Sequence, residues 1–399
     1  MKARYQYRIY PTEQQQTKLA QLFGCCRVVW NDALALCRAA EKLPKNGDLQ
    51  KTCITQAKRT DGRAWLGEVS NIPLQQSIAD LGVAFKNFFA SLKGERKGPK
   101  VRSPRFKKKG NRQTARFTRG GFSLQAAKVY LAKIGEIKTR WSRPLPSEPS
   151  SVTVIKDRSG RYFLSFVVEP EPLQLPAQSA SVGVDLGLKT FAALSTGESV
   201  QAPDYSTLER KIRREQRQLS RRQKGSKRRE RSRLRIAKLK AQLRDTRKDF
   251  LHQVSTRLIQ ENQLVCLEDL NVSGMLKNRR LSRAISQAGW REFRTLLESK
   301  AKRLGRQVQV ISRWQPTSQL CSECGYRWGK LDLSVRELAC LSCCTRHDRD
   351  INAARNINQS GQAIAHDAKR TGSPCQTPLG AVGVELSSHP YGEQLCLIS

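Results

Sequence analysis

The chain is 399 residues long, 38% of them hydrophobic, and carries 73 Lys and Arg against 34 Asp and Glu, a formal charge of +39. That length allows two or three domains with real cores, while the excess positive charge favours a polyanionic partner, nucleic acid first. No apolar run approaches the roughly 18 residues that span a bilayer, and the opening MKARYQYRIYP has no signal-peptide core, so a secreted or membrane-spanning protein is excluded as the expectation.

Residues 2–9 alternate, with Ala3, Tyr5, Tyr7 and Ile9 on one side and Lys2, Arg4, Gln6 and Arg8 on the other, the pattern of a half-buried strand. Thr12 and Gln15 then stand in capping-box spacing, and a helix opens after Pro11. A second helix is expected over Val28–Ala40. A third carries Leu74, Ile78, Leu81, Phe85, Phe88 and Leu92 at heptad spacing, a bundle-core stripe. A helical unit at 11–95 results.

The stretch 94–120 (GERKGPKVRSPRFKKKGNRQTARFTRG) is basic and rich in Gly and Pro, with Phe106 and Phe117 interleaved. It suits a phosphate-tracking loop better than a packed element, and its centre, 96–111, is assigned as a basic loop. Strand patterns follow, including SVTVIKD and RYFLSFVVE around a Ser159-Gly160 turn. The economical reading is a small β-barrel or sheet spanning 112–172 and paired with the N-terminal strand at 1–10. Pro170, Pro172 and Pro176 mark a linker at 173–180.

Three later segments each deliver an acid from an apolar run. Ser181-Val-Gly-Val-Asp185 precedes a turn at Gly187, Leu264-Val-Cys-Leu-Glu268 runs into Asp269, and His347-Asp348-Arg349-Asp350 opens a helix carrying Ile351, Ala354 and Ile357. Acids at the ends of buried strands are costly unless a cation offsets them. Three carboxylates together suit hard divalent ions, two of which support phosphodiester hydrolysis. Taken singly, each acid is a weak signal, since a strand-end Asp is more often a turn cap or an ion-pair partner, and the three stand 83 and 82 positions apart.

Between the first two acids, 208–248 holds 19 Lys and Arg against four acidic residues. Gly225-Ser226 breaks this run into two antiparallel helices, a hairpin over 204–260 with apolar seams through Leu234, Leu239 and Leu243. So many positive charges repel one another without a polyanion.

Of twelve cysteines, four have metal spacing: Cys321-x-x-Cys324, fifteen residues, then Cys340-x-x-Cys343. This fits a structural zinc site. Gly325 follows the first pair as a tight turn prefers. Cys344 follows the second where glycine is expected, leaving Cys343 and Cys344 as alternatives for the fourth ligand. The scattered remaining cysteines read as buried apolar positions. After Gly361 the periodicity is lost, and 361–399 reads as a disordered tail.

The segments VGVDLGLKTFAALSTG, VCLEDLNVSGM and TSQLCSEC…CLSCCTRHDRDINAARNI resemble the three RuvC motifs of the TnpB (OrfB) family, transposon-encoded RNA-guided nucleases similar to the ancestors of type V CRISPR effectors. The resemblance extends to YRIYPTEQQ…VVWNDAL, the WL-EVSNIPLQQSIADL segment, PRFKKKG and the basic hairpin, and covers about 1–358. It implies a multidomain α+β protein: an N-terminal β-barrel with an inserted helical bundle, then an RNase H-like (RuvC) α/β domain at 181–315 and 345–360, with a zinc ribbon at 316–344. Asp185, Glu268 and Asp350 match the catalytic, Mg²⁺-holding triad, with two ions expected and Mn²⁺ as the alternative. Cys321, Cys324, Cys340 and Cys343 match the ligands of one structural Zn²⁺. Asp269 and Asp348 are read as non-catalytic; Cys344 and Trp314 are departures.

The acid order Asp, Glu, Asp resembles RuvC nucleases, whereas transposases of the superfamily generally show Asp, Asp, Glu. The implied partners are a guide RNA from the transposon end, one protein per RNA, and double-stranded target DNA. The implied setting is prokaryotic cytoplasm at the nucleoid. The alternative is an RNA-guided DNA-binding protein, or a transposition accessory or regulator without strand-transfer activity.

Overall fold

The computed structural model describes residues 2–370 apart from Lys97, Asn111, Lys330 and Leu333. It divides into two compact units: Met1–Glu171 with Gln218–Lys238, and Pro172–Arg217 with the described residues from Leu239 onward.

In the first unit the alternating N-terminal run forms β1 (Ala3–Ile9), burying Ala3, Tyr5, Tyr7 and Ile9 as its period requires. The capping box at Thr12 and Gln15 closes in both directions and starts α1 (Glu13–Ala39). The two helices expected before residue 40 are one. Leu19, Leu22, Phe23, Cys25, Cys26 and Val29 are buried without interruption, which outweighs the roughly 1 kcal/mol that Gly24 costs a helix interior. After α2 (Asn46–Gln50) and irregular turns, α3 (Asn71–Leu92) buries Leu74, Ile78, Leu81 and Phe85, and the stripe runs out at Leu92, which is 66% exposed.

The strands β2 (Gln113–Thr118), β3 (Phe122–Leu124), β4 (Lys128–Leu131), β5 (Gly135–Arg140), β6 (Ser151–Lys156) and β7 (Tyr162–Val168) join β1 in the order β2-β6-β7-β1-β5-β4-β3. The sheet is open, so the expected closed barrel does not form. Closure needs every edge paired, yet β2 pairs only with β6 and β3 only with β4. Helix α3 packs against β2 instead, fixed by Asp80, which accepts from Arg116 at 2.5 Å.

The basic segment 96–111 has no helix or strand among its described residues, and its middle is tied to α1. Trp30 Nε1 donates to the Arg105 carbonyl and Arg38 to that of Pro104, while Asn31 exchanges two hydrogen bonds with the Lys107 backbone. The Lys107 ammonium sits 3.7 Å from the Trp30 ring centroid, a cation–π contact. Phe117 is fully buried in β2 as a core residue.

The second unit is built on β8 (Ser181–Leu186), β9 (Ala192–Leu194), β10 (Ser199–Val200), β11 (Leu264–Glu268) and β12 (Gln307–Ile311), ordered β10-β9-β8-β11-β12. The strands β8, β11 and β12 are parallel, and the first three form an antiparallel meander. Parallel neighbours require crossover connections. The first passes through α4 (Ser206–Arg221) and α5 (Lys227–Glu261), the second through α6 (Val272–Met275), α7 (Ser282–Ala288) and α8 (Trp290–Leu304). The chain turns between α4 and α5 where expected; of the leucines expected to be apolar there, Leu239 and Leu243 are half-buried and Leu234 is exposed, while Ile212, Ile236 and Ala241 are buried. One face of the sheet buries Val182, Val184, Val265 and Leu267 with Phe293 and Leu297 of α8.

The opposite face carries α9 (Arg349–Arg370). The contact is close enough that a Cβ on Gly183 would lie 2.0 Å from the Ala354 carbonyl oxygen, and one on Gly361 would lie 2.2 Å from Cys266 Sγ. Helix α9 runs on to Arg370, correcting the expected start of a disordered tail at 361, although beyond Gly361 only Ala365 among the described side chains packs on the core. The remainder of that expected tail lies outside the described residues. Among the described residues no helix is long and apolar enough to cross a membrane.

Candidate active site

The register of the parallel strands brings the first two acids together. Leu267 pairs with Val184 and Cys266 with Gly183, so Glu268 and Asp185 fall at the same level at the carboxyl ends of adjacent strands. Side chains two apart share a face. Asp185 therefore lies on the face of Gly183, and Glu268 on that of Cys266, which is the face α9 covers. Asp350 is in the first turn of α9, where the helix dipole favours a carboxylate. Three remote segments thus meet at one end of the sheet.

Electrostatics report the same meeting. Burial, then Glu268, then Asp350 push the Asp185 carboxyl up to about 7, with Arg349 opposing. Burial also raises Glu268, against the Thr317 hydroxyl, which lowers it. Oxygen-only ligands that repel one another fit a hard divalent cation such as Mg²⁺ or Mn²⁺.

The raised Asp185 carboxyl has a stability consequence. Between about 4, the unfolded value, and about 7, the folded chain binds this proton and the unfolded chain does not. Stability must fall as pH rises through that window. In denaturant melts without divalent cations, Asp185→Asn should be the more stable protein at pH 8 by on the order of 2 kcal/mol, with the gap closing by pH 4. A gap independent of pH would refute the assignment.

The neighbouring acids have other work. Asp269 is held by Arg294 at 2.9 Å and by Arg313, which keeps its carboxyl below the usual range against burial. Asp348 Oδ1 accepts from the amides of Asp350 and Ile351, both at 2.9 Å, as an N-cap does. Asp350 itself faces Arg336, whose Nη1 lies 3.3 Å from both its oxygens.

The cysteines lie between β12 and α9, where β13 (Glu337–Ala339) and β14 (Arg346–Asp348) pair. The sulfurs of Cys321, Cys324, Cys340 and Cys343 all lie within 4.8 Å of one another, the donor set and spacing that tetrahedral zinc requires. Cys344 is excluded by backbone geometry. The Gly325 amide donates to the Cys321 carbonyl at 3.0 Å with φ 74°, and the Cys344 amide donates to that of Cys340 at 3.0 Å with φ 58°. Cys344 thus occupies the glycine position of the second knuckle. The other described cysteines, Cys25, Cys26, Cys37, Cys53 and Cys266, are buried, as expected; Cys375 and Cys396 lie outside the described residues.

Sequence reasoning missed the polar residues that join the knuckles to the carboxylates. Asn352 Oδ1 accepts from the Ser322 amide, its Nδ2 donates to the Leu320 carbonyl, and Asn356 Nδ2 donates to those of Thr317 and Leu320. Thr317 Oγ1 donates to Glu268 Oε1 at 2.5 Å. The only sequence signal was the polar face of α9, at Asn352, Asn356 and Gln359.

Comparison with known proteins now bears on the chain. Residues 165–279, including Asp185 and Glu268, match the OrfB_IS605 family, described as "Probable transposase". Residues 290–357, with the four cysteines and Asp350, match "Cas12f1-like, TNB domain". Residues 1–42 match a "Helix-turn-helix domain" of OrfB_IS605, although here they fold as β1 and the single helix α1. A protein of Streptomyces pristinaespiralis named "Putative RNA-guided DNA endonuclease" is 43% identical over 373 residues, 92% of this chain and 90% of its own. The chain belongs to the TnpB (OrfB) family. The similarly named InsQ of Escherichia coli K12 is 31% identical over 382 residues, covering 90% of this chain and 92% of that TnpB relative. A structure titled "Cryo-EM structure of the Cas12f1-sgRNA-target DNA complex" covers 90% of this TnpB chain and 99% of its own at 17% identity and TM-score 0.34, too distant to add to the assignment.

Proposed function

We propose that this chain is an RNA-guided, RuvC-like DNA endonuclease, with Asp185, Glu268 and Asp350 as its catalytic residues. The observation that carries the reading is the convergence of these three acids, far apart in sequence, at the carboxyl ends of the parallel strands β8 and β11. Two Mg²⁺ ions bound there would activate a water and neutralise the leaving oxygen in phosphodiester hydrolysis. Asp185 and Glu268 are presented from adjacent strand ends, and Asp350 from a helix N-terminus capped by Asp348. Arg294 and Arg313 keep Asp269 engaged, so it does not compete with Glu268 for a cation.

One structural Zn²⁺ held by Cys321, Cys324, Cys340 and Cys343 is part of the same reading, supported by the mutual closeness of the sulfurs. The proposed partners are a guide RNA from the transposon end, one protein per RNA, and double-stranded target DNA. Pairing between guide and target supplies the sequence specificity in such systems. Purifying the protein with its RNA, sequencing that RNA, and rewriting its guide portion tests this directly. Cleavage should move to the DNA matching the new guide. Absence of a defined RNA, or a cut that ignores the guide, would overturn the reading.

The α4–α5 hairpin is the proposed phosphate grip, since Arg213, Arg214 and Arg221 among many others are exposed there. Not every arginine is free for this. Arg222 donates to the Arg228 carbonyl, and Arg229 to the carbonyls of Leu219 and Arg222, locking the turn. Replacing Arg213, Arg214 and Arg221 with Gln should weaken RNA binding and flatten the plot of log Kd against log salt by roughly 2. An unchanged slope would place the RNA elsewhere.

A further inference from the structure

We propose that Thr317 is a positioning residue for Glu268, and that through it the helix presenting Asp350 also fixes the second carboxylate of the site. Thr317 opens the 3₁₀ turn Thr317–Gln319, between β12 and the first cysteine knuckle, and is only 5% exposed. Its hydroxyl donates to Glu268 Oε1 at 2.5 Å. A glutamate has three side-chain torsions to fix, and a catalytic metal site tolerates ligand displacements of only about 0.5 Å.

Thr317 is itself held from two sides. Its carbonyl accepts from Asn356 Nδ2 at 2.7 Å, and its amide donates to the Gln315 carbonyl at 2.8 Å. Gln315 Nε2 in turn donates to Ser360 Oγ at 2.8 Å. Asn356 and Ser360 both belong to α9, whose first turn carries Asp350. Asn356 also donates to the Leu320 carbonyl, one residue before Cys321. One helix thus carries one acid directly and orients a second through a hydroxyl, so their relative geometry does not depend on the glutamate side chain alone.

This inference rests on the nuclease reading above, and the experiment separates the two. Thr317→Val keeps the shape and removes the donor; Thr317→Ser keeps the donor. In the full chain freed of nucleic acid, Mn²⁺ binding is measured by EPR, with Asp185→Ala as reference and bound zinc quantified in each protein. Cleavage of matched DNA by the RNA complex is then titrated with Mg²⁺. Outer partners of metal ligands are typically worth roughly 10- to 100-fold in metal affinity or activity. Thr317→Val should therefore need roughly 10-fold more Mn²⁺ and Mg²⁺ or beyond, with zinc content intact, and Thr317→Ser should restore wild-type behaviour.

Wild-type metal dependence in Thr317→Val would overturn the positioning role. So would a loss of zinc alongside the shift, which would make Thr317 a support of the knuckle instead. If Asp185→Ala cleaves like wild type, the nuclease reading fails, whatever Thr317 does.

Discussion

Asp185→Ala should abolish target cleavage, by at least about 10³-fold, while leaving RNA and DNA binding at wild-type strength. A loss of 10³ is about 4 kcal/mol of transition-state stabilisation, the scale expected when a ligand is removed from a cation that neutralises developing charge. Binding should survive because the site is small and acidic, whereas the charge that attracts polyanions lies elsewhere, with 19 Lys and Arg in 208–248. Removing the carboxylate also relieves repulsion from Glu268 and Asp350, so the variant should be no less stable than the parent at neutral pH. Loss of activity with retained stability separates a catalytic acid from a structural one. The measurement is single-turnover cleavage of matched double-stranded DNA beside a binding titration and a melt. Wild-type cleavage by Asp185→Ala would remove the catalytic assignment, and the chain would be left as an RNA-guided binding protein.

Much of this site was legible because its parts are local patterns. Apolar runs ending in Asp185 and Glu268 read as strands delivering acids, and two Cys-x-x-Cys pairs read as a metal site. Convergence was not legible. It depends on β8 and β11 being parallel neighbours in a register that sets Val184 beside Leu267, and on α9 lying against Gly183. Both are tertiary facts with no short-range signature. The same reason explains the misreadings. Strand patterns at 112–172 were correct as strands, but alternation says nothing about whether edges meet, and here β2 is packed by α3. Composition placed a loop at 96–111 but carried no sign of its anchoring, by which Asn31 and Trp30, some 75 residues away, tie it down through its backbone. Spacing alone left Cys343 and Cys344 open; the closeness of the Cys343 sulfur to the other three and the left-handed backbone of Cys344 separate them.

Cys321→Ser, or chelation, should remove one zinc per chain, unfold the segment 316–344, and silence the nuclease with it. Its one strand, β13, and the β14 it pairs with just beyond are three residues each, and the buried residues among those described within it are few, chiefly Cys321, Leu338 and Cys340. So small a core does not stand without a staple, while structural zinc contributes on the order of 10 kcal/mol in comparable modules. Silencing follows from connectivity. The first knuckle is bonded to Asn352 and Asn356 of α9, and the segment entering it holds Glu268 through Thr317. An unfolded knuckle therefore releases two of the three acids. Cys343→Ser should behave like Cys321→Ser. Cys344→Gly should keep its zinc and gain up to about 1 kcal/mol, because a left-handed residue without a Cβ carries no steric cost. Metal analysis, proteolysis of the ribbon and cleavage rate, measured on the same four proteins, check the set. Full zinc in Cys343→Ser, or a zinc-free protein that cleaves normally, would break the link drawn between the cysteines and the carboxylates.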